Sequence, residues 1–139
     1  MNTKVIIAGL VAGLTGFLLG WVVYGMLLMD FMTAHCTNYP GLMKEPPVLW
    51  AIFFANCCSG WLFAYIFHRI GGIQSFAGGF QTGLIISLLF TLNLDLYYYS
   101  MMNMGDSTYY AVDVVVSTLM GAVMAGVAGA MLGTGKKAA

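Results

Sequence analysis

The chain has 139 residues, of which 60% are hydrophobic and only 7% charged, and its five basic residues are balanced by five acidic ones. A water-soluble domain runs near a quarter charged, so most soluble enzyme classes are excluded, and the apolar content excludes disorder. The balanced charge leaves no electrostatic footprint for nucleic acid, and the solvent expected for such a chain is lipid.

Four apolar runs, over residues 5–29, 48–67, 80–99 and 110–132, reach the roughly 20 helical residues needed to cross about 30 Å of hydrocarbon. None alternates in character as a barrel strand does, and a helix is the other way to satisfy backbone polar groups in lipid. The expected fold is therefore all-α: one transmembrane domain over residues 1–139, an integral membrane four-helix bundle.

The first run is about twice the length of a usual signal core. Thr33-Ala34-His35-Cys36 after it looks like a lipoprotein cleavage box, but a bulky His precedes the cysteine where a small residue is wanted. We read this span as retained, with Gly9, Gly13, Gly16 and Gly20 at helical spacing. The loop over residues 30–47 is the longest, with 18 residues, too few for a catalytic domain. Pro46 and Pro47 suit the first turn of the second span, which carries the row Asn56, Gly60, Ala64 and His68 and is stopped by Gly71 and Gly72. The third span places Gly79, Gly83, Ser87, Thr91 and Asp95 at steps of four. Asp106, Ser107 and Thr108 offer capping oxygens for the fourth. That span repeats the step through Asp113, Ser117, Gly121, Ala125, Gly129 and Gly133, with Ala122, Gly126 and Ala130 on a neighbouring stripe, and Gly133 with Gly135 can close its end.

Lipid gives helices little hydrophobic reason to associate, so packing rests on small residues that let backbones approach. Run antiparallel, the last two rows pair level by level: Asp95 with Asp113, Thr91 with Ser117, Ser87 with Gly121, Gly83 with Ala125, Gly79 with Gly129. This predicts a close hairpin of the right-handed GxxxG kind. The second small face of the fourth span needs a partner too, either the glycine row of the first span or another copy of the protein. Asn56 and Asn93 are expected to make interhelical hydrogen bonds.

Lys4, Arg69, Lys136 and Lys137 fall on one side of a four-span arrangement and only Lys44 on the other. The positive-inside rule then puts both termini in the cytoplasm of a bacterium, with the chain in its inner membrane. The acids Asp30, Glu45, Asp95, Asp106 and Asp113 collect toward the outer face, with Trp50, Tyr97, Tyr98, Tyr99, Tyr109 and Tyr110 at the interfacial level.

Asp95 and Asp113 are the candidate ion or proton site, because two carboxylates facing each other inside a span share one proton, as proton-coupled sites do. The alternative is that they only cap or hydrogen-bond their neighbours at the water boundary. Met29, Met32, His35 and Cys36 supply the soft ligands Cu(I) prefers, against the plainer reading of methionine as apolar filler. Cys57 and Cys58 are read as packing residues, and Cys36 as free or linked to a second molecule. His35 and His68 lie on opposite faces and cannot share a haem. There is no phosphate-binding glycine loop, no zinc-protease motif and no nucleophile elbow, so neither a cofactor nor catalysis is expected.

Gly20-Trp21-Val22-Val23-Tyr24-Gly25-Met26-Leu27-Leu28-Met29-Asp30-Phe31, Asn93-Leu94-Asp95-Leu96 and Val112-Asp113-Val114-Val115-Val116-Ser117 together resemble small four-span bacterial membrane proteins of the domain-of-unknown-function 1761 type. The resemblance implies a helical inner-membrane protein of unassigned activity and brings no catalytic residues with it, and its acidic positions would here be Asp30, Asp95 and Asp113. The role expected is a structural or accessory subunit that self-associates, or packs with other membrane proteins, through its Gly/Ala/Ser faces. A small dimeric proton- or cation-coupled transporter using Asp95 and Asp113 is the alternative.

Overall fold

The computed structural model describes residues 2–134. Among these residues it has five α-helices and no strand: α1 (Thr3–Val22), α2 (Met29–His35), α3 (Leu49–Ile70), α4 (Phe76–Met101) and α5 (Ser107–Gly133), with a π-helical turn (Val23–Leu27) joining the first two. The segments Thr3–Leu27, Leu49–Ile70, Phe76–Met101 and Ser107–Gly133 are long and apolar enough to cross a membrane.

The helix ends follow from local chemistry. Asn2 accepts from the Lys4 amide, Ser75 from the Gly78 amide and Asp106 from the Tyr109 amide at 2.8 Å, each occupying a donor the first turn leaves free. α3 stops at Gly71, whose φ of 74° and that of 80° at Gly72 are disfavoured for residues with a Cβ. Pro46 and Pro47 differ from their expected place: α3 starts at Leu49 after Val48, so both lie ahead of its first turn. Part of the expected loop over residues 30–47 is helical too. After the π turn the chain resumes as α2, with Asp30 in the first turn and His35 in the last, the charge order the helix dipole favours. Seven residues are too few to display a period in sequence. Gly135, Lys136 and Lys137 lie outside the described residues.

α5 is the central rod. It packs against α1, α3 and α4, while α4 forms its main interface with α5 and makes no comparable one with α1 or α3 among the described residues. The bundle is therefore open beside α4. Glycine decides how near the backbones come. A Cβ at Gly13 would lie 2.5 Å from the Cα of Cys57, and one at Gly60 would overlap the Gly9 carbonyl and sit 2.7 Å from the amide nitrogen of Gly13. The α1 row therefore divides: Gly9 and Gly13 meet α3, whereas Gly16 meets Met124 and Asn56, and Gly20 lies nearest Met120 of α5. On the α4–α5 seam, Gly83 meets Ala125, Gly121 meets Ser87, and Gly79 lies between Gly126 and Gly129. All of these rows are filled within one chain.

The apolar core is gathered in the terminal half of the bundle, the half that holds the start of α1 and the end of α5: Val5, Ala8, Ala12, Phe63, Ala64, Phe67, Met124, Ala125, Ala128 and Leu132. There Lys4 Nζ donates to the Thr134 carbonyl, and Trp61 Nε1 to the Ile6 carbonyl at 3.0 Å. The opposite, distal half is where the polar groups collect. Gly60→Val is expected to destabilise the fold by about 1–3 kcal/mol through overpacking against α1. Gly20→Ala, whose Cβ finds its nearest neighbour at 3.7 Å, should stay within about 0.5 kcal/mol of the parent, both measured by reversible unfolding in mixed micelles.

Candidate functional site

Asp95 stands six residues before the end of α4 and Asp113 six residues after the start of α5, so antiparallel packing brings both to one level, about 9 Å along each helix from its distal end. The Asp95 side chain is buried at 9% exposure and its carboxyl lies within hydrogen-bonding range of that of Asp113. Asp113 is half-buried.

Its two oxygens already have donors. Tyr24 Oη donates to Asp113 Oδ1 at 2.7 Å and lies 2.8 Å from Ser117 Oγ, which approaches Asp113 Oδ2 at 3.4 Å. Asp95 Oδ2, by contrast, is buried with no hydrogen-bond partner among the described residues. Ionised carboxylates only accept, so the Asp95–Asp113 contact becomes a hydrogen bond when one of the two carries a proton. What the arrangement can do is hold one proton, or one small cation, between two carboxyls that tyrosine and serine keep in place.

Tyr24 is a residue the sequence reading did not assign to the site. A signal existed, since Tyr24 continues the row Gly16, Gly20 at the next step of four, and that row faces α5. The residue sits in the π-helical turn, a departure from regular geometry often found at functional positions.

Beside the pair, Leu92, Asp95, Leu96, Tyr99, Ser107, Tyr110, Ala111 and Val114 line a cleft of about 230 Å³ between α4 and α5. The Tyr110 hydroxyl is buried behind it, and it, Ser87 Oγ and Thr118 Oγ1 have no hydrogen-bond partner among the described residues.

The distal end is closed by a clasp. His35 Nδ1 contacts Asp106 Oδ2 at 2.7 Å, the Asp106 amide donates to the His35 carbonyl at 3.1 Å, and the Thr37 amide donates to the Met104 carbonyl at 2.7 Å. Tyr39 Oη adds a bond to the Asn103 carbonyl, and the Phe31 ring lies 4.5 Å from that of His35. The imidazole of His35 first, and the Tyr109 amide second, hold the Asp106 carboxyl below the usual carboxylate range.

This clasp also engages two of the four soft-ligand candidates. Met29, Met32 and His35 lie on α2 and Cys36 at its end, but His35 is taken up by Asp106, and Cys36 is paired along the backbone with Gly105. No group of three or more His, Cys, Asp or Glu suited to a metal ion occurs among the described residues. Cys36, Cys57 and Cys58 are free thiols; Cys57 is buried and Cys58 exposed. The interhelical bonds expected of the two asparagines are not made among the described residues: Asn56 Nδ2 donates to the Ile52 carbonyl of its own helix at 2.9 Å. Asn93 is exposed, on the side of α4 away from the carboxylates.

Compared with known family models, with curated proteins and with solved structures, the chain finds no significant match.

Because the folded-state Asp106 carboxyl is depressed, the stability it contributes is present above the unfolded-state value and is lost as pH falls through the folded one. Asn can still cap α5, so Asp106→Asn isolates the charge. The melting-temperature gap between parent and variant should be present near neutrality and narrow as pH falls through the ordinary carboxylate range and below it, read by thermal unfolding in detergent.

Proposed function

We propose that the protein is a multi-pass protein of the bacterial inner membrane, with cytoplasmic termini, whose Asp95–Asp113 pair takes up a proton or small cation from the outer side. The pair is then the coupling site of a small transporter, not an enzyme. The single observation that carries this reading is the buried Asp95 carboxyl, in reach of a second carboxyl and with one oxygen lacking a donor. An uncompensated charge within a membrane helix costs about 2.5–3.5 kcal/mol at the midplane and less toward the boundary, where this pair lies, so a buried acidic pair gains from a bound proton or cation. Four spans make a narrow path, and a transporter of this size works as a pair of chains.

The runner-up is an accessory subunit of a larger membrane assembly, and what favours it is the bundle left open beside α4. The glycine rows are occupied inside the chain, so association under either reading uses a different surface. A resemblance to the domain-of-unknown-function 1761 type would be compatible with both and would assign no catalytic residue.

The readings separate in proteoliposomes. An imposed pH or cation gradient should drive flux through the parent, and Asp95→Asn or Asp113→Asn should reduce it at least about tenfold, the loss of roughly 1.4 kcal/mol of coupling. Flux and assembly unchanged in both variants would remove the transport reading.

A further inference from the structure

α4 has two faces of different fate. Gly79, Gly83, Ser87 and Asp95 are buried on the side that meets α5. Asn93 lies two residues from Asp95, about 200° round the helix, and is exposed, with Leu89 and Leu96 beside it at 63% and 56% exposure. Its amide makes no hydrogen bond among the described residues, whereas Asn56, the same residue type on α3, bonds back to its own helix. Asn93 is eight residues from the end of α4, about 12 Å along an axis of about 39 Å. With about 30 Å of hydrocarbon centred on that axis, the amide sits roughly 7 Å inside the apolar layer. In water its exposure would be unremarked; in lipid, two donors and an acceptor without partners are costly.

We propose that a second copy of this chain covers that face, the two α4 helices packing about a two-fold axis along the membrane normal with their Asn93 amides hydrogen-bonded to each other. The inference rests on the membrane placement proposed above and not on the carboxylate pair. Copies inserted with one orientation carry Asn93 at one depth, and a two-fold axis normal to the membrane brings a residue opposite itself. An amide both donates and accepts, so Asn93 complements its own copy, while a foreign helix would have to supply a matching polar group. The register fits: Leu89, Asn93, Leu96 and Ser100, all exposed, alternate steps of four and three, the a and d spacing of a parallel helix pair, in which one Asn at an a position selects register and pairing. A shallow groove lined by Asn93, Leu96, Tyr97 and Ser100 marks the same face.

The test uses full-length chain labelled with donor or acceptor fluorophores in phosphatidylethanolamine–phosphatidylglycerol vesicles, over a series of protein-to-lipid ratios. The parent should dimerise, Asn93→Leu should weaken the dimer about 3- to 20-fold and Asn93→Gln much less. Ser100→Cys, with Cys36 and Cys58 replaced by Ser, should form a crosslinked dimer on oxidation. Leucine replaces an amide on a face the fold leaves uncovered, so unchanged thermal unfolding should show Asn93→Leu folded. A membrane-embedded monomer at every ratio, or a dimer equally stable with Asn93→Leu, overturns the pair while leaving the carboxylate site standing. Recovery of the chain in the aqueous fraction would remove the membrane placement beneath both.

Discussion

The closeness with which backbones meet at glycine is the constraint on which the rest of this molecule depends. Lipid-like surroundings offer helices no gain from hiding apolar surface, so contact area and fit must hold them together. Gly9, Gly13 and Gly60 let α1 lie against α3, and Gly79, Gly126 and Gly129 do the same for α4 and α5. This also places chemistry at a distance. Asp95 is 16 residues along α4 from Gly79, and Asp113 is 16 residues back along α5 from Gly129. Glycine contact near the termini thus sets the level at which the carboxylates meet near the other end, and a slip of one residue would rotate the two acids about 100° apart.

Polarity is graded along the bundle. The terminal half is a core of alanine, valine, phenylalanine and leucine, while Ser87, Asp95, Tyr110 and Thr118 leave buried oxygens without partners along the α4–α5 seam. Such groups lower stability wherever they are not engaged. The tight terminal half offsets that cost, and the clasp from His35 to Asp106 and from Thr37 to Met104 closes the distal end over the polar half. The carboxylate pair sits between the packed core and the hydrogen-bonded clasp, an arrangement that fixes helix level.

The four long helices are legible in sequence because 20 consecutive apolar residues have few other structures open to them. The seam between α4 and α5 is legible for a related reason: the short connection enforces an antiparallel pair, and steps of four mark a continuous face. Where α1 goes is not legible. Its glycines form one row on paper, yet Gly9 and Gly13 serve α3 while Gly16 and Gly20 turn to α5, and no feature of a glycine states which neighbour it will meet. Tyr24 escaped for lack of a polar run around it, although its step from Gly20 was visible. α2 escaped through shortness. Asn56 and Asn93 look alike within their apolar runs, and only the placement of neighbouring helices separates the one that bonds its own backbone from the one left exposed.

That difference bears on how a site in one half of a chain can be tied to its surroundings. Asp95 and Asn93 are two residues apart on α4 and so nearly level, one facing α5 and the other facing outward. A rod gripped on both sides at one height cannot rotate to release one contact without disturbing the other, because 3.6 residues per turn fix the angle between them. Under the reading proposed above, α4 alone would link the acidic pair to the surface on which a second chain would rest.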